Sequence, residues 1–177
     1  LKNLSINFAH ISVLIWVSFS VLFMKNRYIA LIPAAGIGTR MSTTVPKQYL
    51  LLHHKPLLYY TILPFYKHSF CEKIVIVLSP EDQQWAEFAQ KKIWDEYNQS
   101  RVEIIYCGGA TRAESVLNGL KHIQNKQWAE PNQFIAVHDA ARCCLPLHTL
   151  DSFYQTLCFD EIGGIMAIPV VETVKQT

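Results

Sequence analysis

The chain has 177 residues, half of them hydrophobic and 17% charged, which suits one globular domain with its own core and excludes both a disordered chain and two full domains. Its formal net charge is +2 with Lys and Arg scattered rather than clustered, so no electrostatic footprint for nucleic acid or an anionic membrane is present and any anion recognition must be local. The five cysteines, Cys71, Cys107, Cys143, Cys144 and Cys158, contain no C-x-x-C pair and are odd in number, the pattern of reduced thiols in a cytoplasmic protein.

The chain opens on an apolar leader, residues 1–23, whose core is "ISVLIWVSFSVLF". That run is shorter than the roughly 20 residues a spanning helix needs. Lys2 is the only basic residue before it and no small-x-small cleavage pattern follows. Met24 then begins "MKNRYIALIPAAG", so the leader is expected to stand outside the fold and the domain to run over 24–177. No membrane partner is expected.

From Tyr28 onward, short apolar runs alternate with longer amphipathic ones. "YIALIP" reads as a buried strand, and "PLLYYTILPFYKH" as a helix opened by Pro56 with a kink at Pro64. "KIVIVLS" is a second strand, and "PEDQQWAEFAQKKIWDEY" a helix with acids in its first turn. "VEIIYC" is a third strand closed by Gly108 and Gly109, and "TRAESVLNGLKHI" a helix that Thr111 caps with Glu114 three residues on. "QFIAVHD" is a fourth strand, "LHTLDSFYQTLCF" a helix and "GGIMAIPV" a fifth strand. Strands rich in Ile, Val and Leu without alternation, separated by helices, imply an α/β doubly wound, mostly parallel sheet covered on both faces. Ligands bind such sheets outside the carboxyl ends of the strands. Four segments fall there: Pro33 to Lys47, Cys107 to Ser115, His138 to Arg142, and Val170 to Lys175.

The first of these, "PAAGIGTR", places Pro33, Ala34, Ala35, Gly36 and Gly38 where small side chains let backbone N–H groups approach a phosphate chain. Arg40 adds a planar fork of donors and Lys47 a mobile point charge. The run lacks the third glycine of G-x-G-x-x-G and the G-K-[ST] ending of a P-loop, so neither generic motif applies, and a tight structural turn is the plainer alternative. "CGGATRAES" repeats the logic: Gly108 and Gly109 leave room for a flat ring and Ser115 offers a hydroxyl. Arg112 either points into the site or serves the charge balance of the helix start. Asp139 in "VHDAAR" is either a ligand for a divalent cation or a helix cap, with Arg142 three residues beyond. His138 is expected to pack and hydrogen-bond rather than catalyse, and Cys143 and Cys144 to be inert packing thiols.

"PAAGIGTRM…PKQYL", "GGATRAESVLNGL", "VHDAARC" and "IPVVETVK" occur in an order and at separations that resemble the 2-C-methyl-D-erythritol 4-phosphate cytidylyltransferase family of nonmevalonate isoprenoid biosynthesis. The resemblance implies a Rossmann-like nucleotidyltransferase fold of the glycosyltransferase A type, in a cytoplasmic homodimer. It further implies an enzyme that uses CTP, Mg²⁺ and 2-C-methyl-D-erythritol 4-phosphate to make CDP-methylerythritol and pyrophosphate. Carried over by position, Ala34, Ala35 and Gly36 would line the CTP phosphates and ribose, with Pro33 and Gly38 in the same loop. Gly109, Ala110 and Ser115 would hold the cytosine, Arg40 and Lys47 would stabilise the transition state, Asp139 would bind Mg²⁺, and Arg142 and Thr173 would face the sugar phosphate.

Two positions depart from the family pattern. Ala110 stands where some relatives carry an acidic residue beside the base, and Cys143 replaces the proline that usually follows "DAAR". Family members also continue well past "VETVK", so a chain ending there is expected to keep the CTP half and lack the acceptor half, with little turnover of its own. The rival readings are a ribitol-5-phosphate cytidylyltransferase, which commonly has "DAVR" and a Gly-Gly strand end, and a non-catalytic nucleotide-binding module.

Overall fold

A computed structural model of the chain describes residues 27–36, 45–98 and 100–167; the apolar leader and the segment 168–177 lie outside the described residues. The elements in chain order are β1 (Tyr28–Pro33), a 3-10 turn (Lys47–Tyr49), a hairpin of β2 (Leu51–Leu52) and β3 (Lys55–Pro56), and α1 (Leu57–Lys67). Then come β4 (Cys71–Val77), α2 (Gln84–Gln90), β5 (Val102–Ile105), α3 (Arg112–Asn125), β6 (Ile135–Val137) and α4 (Leu147–Leu157). Among the described residues no helix is long and apolar enough to cross a membrane.

The four long-range strands form one sheet in the order β5-β4-β1-β6, every neighbouring pair parallel. Alternate residues of a strand point to opposite faces, and here both faces are buried. Tyr28, Ala30 and Ile32 of β1 join Ile74 and Ile76 of β4 under α1, α2 and α4. Ile29 and Leu31 join Val75, Val77 and Ile123, the last on α3. Near-continuous apolar strands are therefore required on both sides, which is why their sequences do not alternate. Gly119 of α3 lets the helix lie close on the sheet, since a Cβ there would stand 2.7 Å from Leu31 Cδ1 and 2.9 Å from Val77 Cγ2. Successive connections from β1 run outward to β4 and β5, and the chain then returns to the other side of β1 at β6. The carboxyl ends of β1 and β6 thus flank the point where the winding reverses, the usual place for a ligand in such sheets.

Three expectations need correction. The second helix covers only Gln84–Gln90: Asp82 accepts from the Trp85 N–H (3.0 Å) to fix its start, and Lys92 adopts φ 56° just past its end. Trp94 and Tyr97 then turn inward, Trp94 stacking on Trp85 at 4.2 Å and the Tyr97 hydroxyl donating to the Tyr59 carbonyl at 2.8 Å. The expected fifth strand does not form over Gly163–Ala167. Composition favoured a strand, but a strand also needs a ladder; here Gly163 sits at φ +98° beside an Asp160 side chain that accepts from the Ile162 and Gly163 N–H groups, and Ile165 is exposed. The hairpin was not anticipated, because its two turn residues are His53 and His54 at φ 45° and 65°, where glycine or asparagine would have announced it. Pro64 lies within α1, which continues through it to Lys67.

The end of α1 is joined to α4 by His68, 1% exposed, whose Nε2 lies 3.1 Å from Asp151 Oδ1. Tyr28, Phe70 and Tyr154 enclose the ring, and Nδ1 has no hydrogen-bond partner among the described residues. Burial pushes the imidazole pKa below its usual value, and the Asp151 carboxylate only partly opposes this. The folded state therefore holds His68 neutral, while the unfolded chain takes up a proton near the ordinary value of about 6.5. Below that pH the unfolded state binds more protons, so this contribution to stability is lost as pH falls. Urea midpoints measured between about pH 7 and pH 5 should decline more steeply in the parent than in His68→Gln; equal slopes would show that His68 does not titrate on unfolding.

Candidate active site

Three loops converge at the carboxyl ends of the parallel strands. The first, Ala34–Gly36, leaves β1 after Pro33. The Ala34 N–H donates to the Val77 carbonyl (2.8 Å) and so prolongs the β1–β4 ladder by one residue. Its direction is then set by Gln48, a buried side chain on the 3-10 turn, whose Nε2 donates to the carbonyls of Ala34 (2.6 Å) and Gly36 (3.1 Å). With the Ala34 carbonyl drawn toward Gln48, the Ala35 N–H in the same peptide faces the other way, and the N–H groups of Ala35 and Gly36 have no partner among the described residues. Unmade donors on a half-buried and an exposed residue are what a phosphate chain can use. The turn is itself secured by Tyr49, whose hydroxyl donates to the Asp82 carboxylate (2.9 Å and 3.0 Å) and whose ring stacks on Phe88. Burial and the neighbouring Asp82 carboxylate push the Tyr49 phenol pKa up, which keeps it protonated and donating.

Lys47 begins this turn, one residue before Gln48, and its ammonium pairs with no carboxylate among the described residues. Gly38, Arg40 and Thr173, three of the expected site residues, lie outside the described residues.

The second loop, Cys107–Thr111, leaves β5 and touches the first. A Cβ on Gly108 would lie 2.1 Å from the Ala35 Cβ and 2.9 Å from the Leu78 carbonyl oxygen, so only glycine permits the two loops to meet. Thr111 caps α3 as expected, its hydroxyl accepting from the Glu114 N–H at 3.1 Å. The reciprocal bond differs from a standard capping box: the Glu114 carboxylate accepts from Ala110 N–H (2.8 Å), one residue before the cap. Ser115, buried, accepts from the Gly109 N–H (3.0 Å) and donates to the Thr111 carbonyl (3.0 Å). Gly109, Ala110 and Ser115 are thus brought together, with the N–H donors of the first two engaged by Ser115 and Glu114.

The third loop follows β6. His138 N–H donates to the Leu31 carbonyl (3.0 Å), extending the ladder, and its Nε2 bonds the Arg142 carbonyl (2.9 Å) while the ring packs on Phe65. It holds the loop, as the sequence reading expected. Thr61 of α1 donates to the Ala140 carbonyl at 2.9 Å in a buried contact that anchors the loop from beneath. Asp139 caps no helix; the next one, α4, begins at Leu147 behind Pro146. Its carboxylate is instead bracketed by Arg112 Nε at 2.7 Å and Arg142 Nε at 3.0 Å. Arg112 therefore points across to the β6 loop. Cys143 and Cys144 are not packing thiols: Cys144 is exposed and Cys143 half-buried.

Gln48, Thr61 and Glu114 are the residues that sequence reasoning assigned no place in the site. Gln48 was visible only as part of "PKQ", and nothing local in a glutamine announces a carbonyl twelve or fourteen residues away. No cluster of three or more His, Cys, Asp or Glu side chains able to hold an ion exists among the described residues. Asp139 alone suits a magnesium ion shared with phosphate oxygens, which takes one or two carboxylates and keeps water, and does not suit a site made by protein alone.

The family model for 2-C-methyl-D-erythritol 4-phosphate cytidylyltransferase (IspD) matches residues 28–177. Among curated proteins, the 2-C-methyl-D-erythritol 4-phosphate cytidylyltransferase of Nitrosospira multiformis is 43% identical over 154 residues, 87% of this chain and 64% of that protein. The one from Laribacter hongkongensis is 43% identical over 151 residues, 85% and 61% respectively. A crystal structure of 4-diphosphocytidyl-2C-methyl-D-erythritol synthase superposes with a TM-score of 0.71 at 37% identity, covering 85% of this chain and 63% of that one. The Francisella tularensis 2-C-methyl-D-erythritol 4-phosphate cytidylyltransferase gives 0.62 at 29% identity, covering 85% and 61%. The chain spans somewhat less than two thirds of the length of these relatives.

Replacing Gln48 tests the clamp on the first loop. Gln48→Leu leaves the Ala34 carbonyl without its partner and should cost about 1–3 kcal/mol; Gln48→Glu, which sets a carboxylate against two carbonyl oxygens, should cost at least as much. Urea midpoints and amide exchange at Ala35 and Gly36 read both effects, and a Gln48→Glu protein as stable and as protected as the parent would remove the clamp.

Proposed function

The chain belongs to the 2-C-methyl-D-erythritol 4-phosphate cytidylyltransferase family, and on that premise we propose that it is the CTP-binding portion of an enzyme that transfers CMP from CTP to 2-C-methyl-D-erythritol 4-phosphate, releasing pyrophosphate. The observation that carries this reading is the pair of N–H groups on Ala35 and Gly36, unengaged among the described residues, beside the winding reversal, with Asp139 and Arg142 on the adjoining strand's loop and Arg112 reaching Asp139 from the start of α3. In this reading Pro33, Ala34, Ala35, Gly36 and Gly38 receive the triphosphate, and Gly109, Ala110 and Ser115 border the cytosine. Asp139 holds Mg²⁺ against the phosphates, and Arg142 and Thr173 meet the sugar phosphate. A cytoplasmic homodimer is part of the same proposal.

The chemistry asks little of the protein beyond position and charge. A phosphate monoester oxygen attacks the α-phosphorus of CTP and pyrophosphate leaves. The attacking oxygen is already ionised near neutral pH, so no general base is needed. The obstacle is that two anions must meet. At an effective dielectric of 20, unit charges about 4 Å apart interact by about 4 kcal/mol, so a few fixed cations offset the repulsion. Lys47 and Arg40 supply that charge in this reading. A bound magnesium ion would add Lewis-acid neutralisation of the phosphate oxygens. Asp139 would hold that ion, and Arg112 and Arg142, which now share its carboxylate, would then have their guanidinium groups available to phosphate oxygens.

In a full-length protein, Arg40→Ala and Lys47→Ala should each lower kcat by about 10²- to 10³-fold, the usual loss for one transition-state donor. Pyrophosphate release with CTP and either 2-C-methyl-D-erythritol 4-phosphate or ribitol 5-phosphate identifies the acceptor. Turnover of either variant near the parent rate would exclude that residue, and CTP binding without turnover by the unsubstituted full-length protein would favour a nucleotide-binding module.

A further inference from the structure

Two adjacent cysteines follow Arg142, and their sulfur atoms stand 3.9 Å apart. Neither is in a disulfide; Cys144 is exposed and Cys143 half-buried. They form the short link between the Asp139 loop and Pro146, which opens α4. The loop end of this link is fixed, because the Arg142 carbonyl accepts from His138 Nε2 at 2.9 Å and the Arg142 N–H donates to the Asp139 carbonyl at 3.1 Å. We propose that Cys143 and Cys144 are a vicinal dithiol, a reversible oxidation site that a peroxide closes to a disulfide, and that closure weakens nucleotide binding by straining the loop that holds Asp139.

The steps balance. The exposed Cys144, as thiolate, attacks the O–O bond of the peroxide and takes one oxygen as a sulfenic acid, while the other oxygen leaves with a proton as water. The Cys143 sulfur then attacks the Cys144 sulfur. An S–S bond forms, the S–O bond breaks, and the departing hydroxide carries off the Cys143 proton as a second water. Two electrons pass from the thiols to the peroxide.

Geometry makes this disulfide easy to reopen. Neighbouring Cα atoms are about 3.8 Å apart across a trans peptide, shorter than the range of about 4.4–6.8 Å that disulfides normally span. Bridging adjacent residues is therefore strained, and strained, exposed disulfides are the readily reduced ones. The strain falls on the peptide next to the Arg142 carbonyl, so it works against the His138 bond and the placement of the Arg142 guanidinium on Asp139. A proline at position 143 could not make the pair, which ties the property to this chain's own departure from the family pattern.

The test uses the whole chain with Cys158→Ser, so that no third cysteine shares the tryptic fragment beginning at Cys143. After brief exposure to hydrogen peroxide the intact mass should fall by two hydrogens, the loss should map to that fragment, and dithiothreitol should reverse it. Phenylarsine oxide, added to the reduced protein, should form a one-to-one adduct that survives glutathione and is released by a dithiol. Cys143→Ser and Cys143→Pro should show neither behaviour. Oxygen added to Cys144 without pairing, or an equally stable arsenical adduct on Cys143→Ser, would overturn the dithiol. CTP affinity should weaken roughly tenfold on oxidation and recover on reduction, a coupling within the usual range; pairing with unchanged affinity would overturn the link to the Asp139 loop. This last measurement rests on the CTP reading: a reduced chain that binds no CTP refutes that reading, while the mass and arsenical results still decide the pairing.

Discussion

Everything at the ligand end of this sheet depends on one buried carboxamide. A backbone that leaves the end of a central strand must dispose of its carbonyls, and a carbonyl buried without a partner costs as much as a lost hydrogen bond. Gln48 takes two of them with a single amino group. The peptide plane between Ala34 and Ala35 is thereby oriented, and the Ala35 N–H on its opposite side has no partner among the described residues. The donors offered to a ligand are thus created by satisfying the acceptors behind them. The same turn holds Lys47, so one three-residue helical turn fixes both the shape of the loop and the base of a cation.

Charge on the adjoining loop follows a related logic. Asp139 sits between two guanidinium groups on different segments, one from the start of α3 and one from its own loop. All three groups are substantially exposed, so the ion pairs themselves add little to stability. Their value lies in holding a carboxylate and two forked donors near one place, ready to exchange partners when phosphate and a cation arrive together. Such an exchange keeps net charge nearly constant, which spares the site the repulsion that a bare cluster of arginines would carry.

The sequence disclosed the framework well and the connections poorly. β1 was legible to the residue, because a strand buried on both faces must be apolar throughout and the proline and alanines mark its end. The cap of α3 was equally plain in Thr111 and Glu114. Helix α2 was overestimated because Trp94 and Tyr97 fit a helical spacing yet gain more by burying their rings against α1. The fifth strand was read from apolar composition alone, and composition cannot supply a ladder partner. The loops that would carry chemistry were identified from small residues and isolated charges, while their braces were not. Gln48, Thr61 and Glu114 act on backbone atoms supplied by other segments or displaced from the standard cap pattern, and ordinary polar residues give no local sign of that.

The contact between Gly108 and Ala35 has a consequence for how the family can vary. These two loops leave different strands, yet at their meeting point there is no space for even one additional carbon. A methyl group gained at 108 would meet the Leu78 carbonyl as well as the Ala35 side chain, so surrendering the methyl at 35 would not make room for it and position 108 is held to glycine. The interlock also denies the loops independent movement: whatever displaces the segment after β1 must carry the segment after β5 with it, and a ligand gripped by one is felt by both.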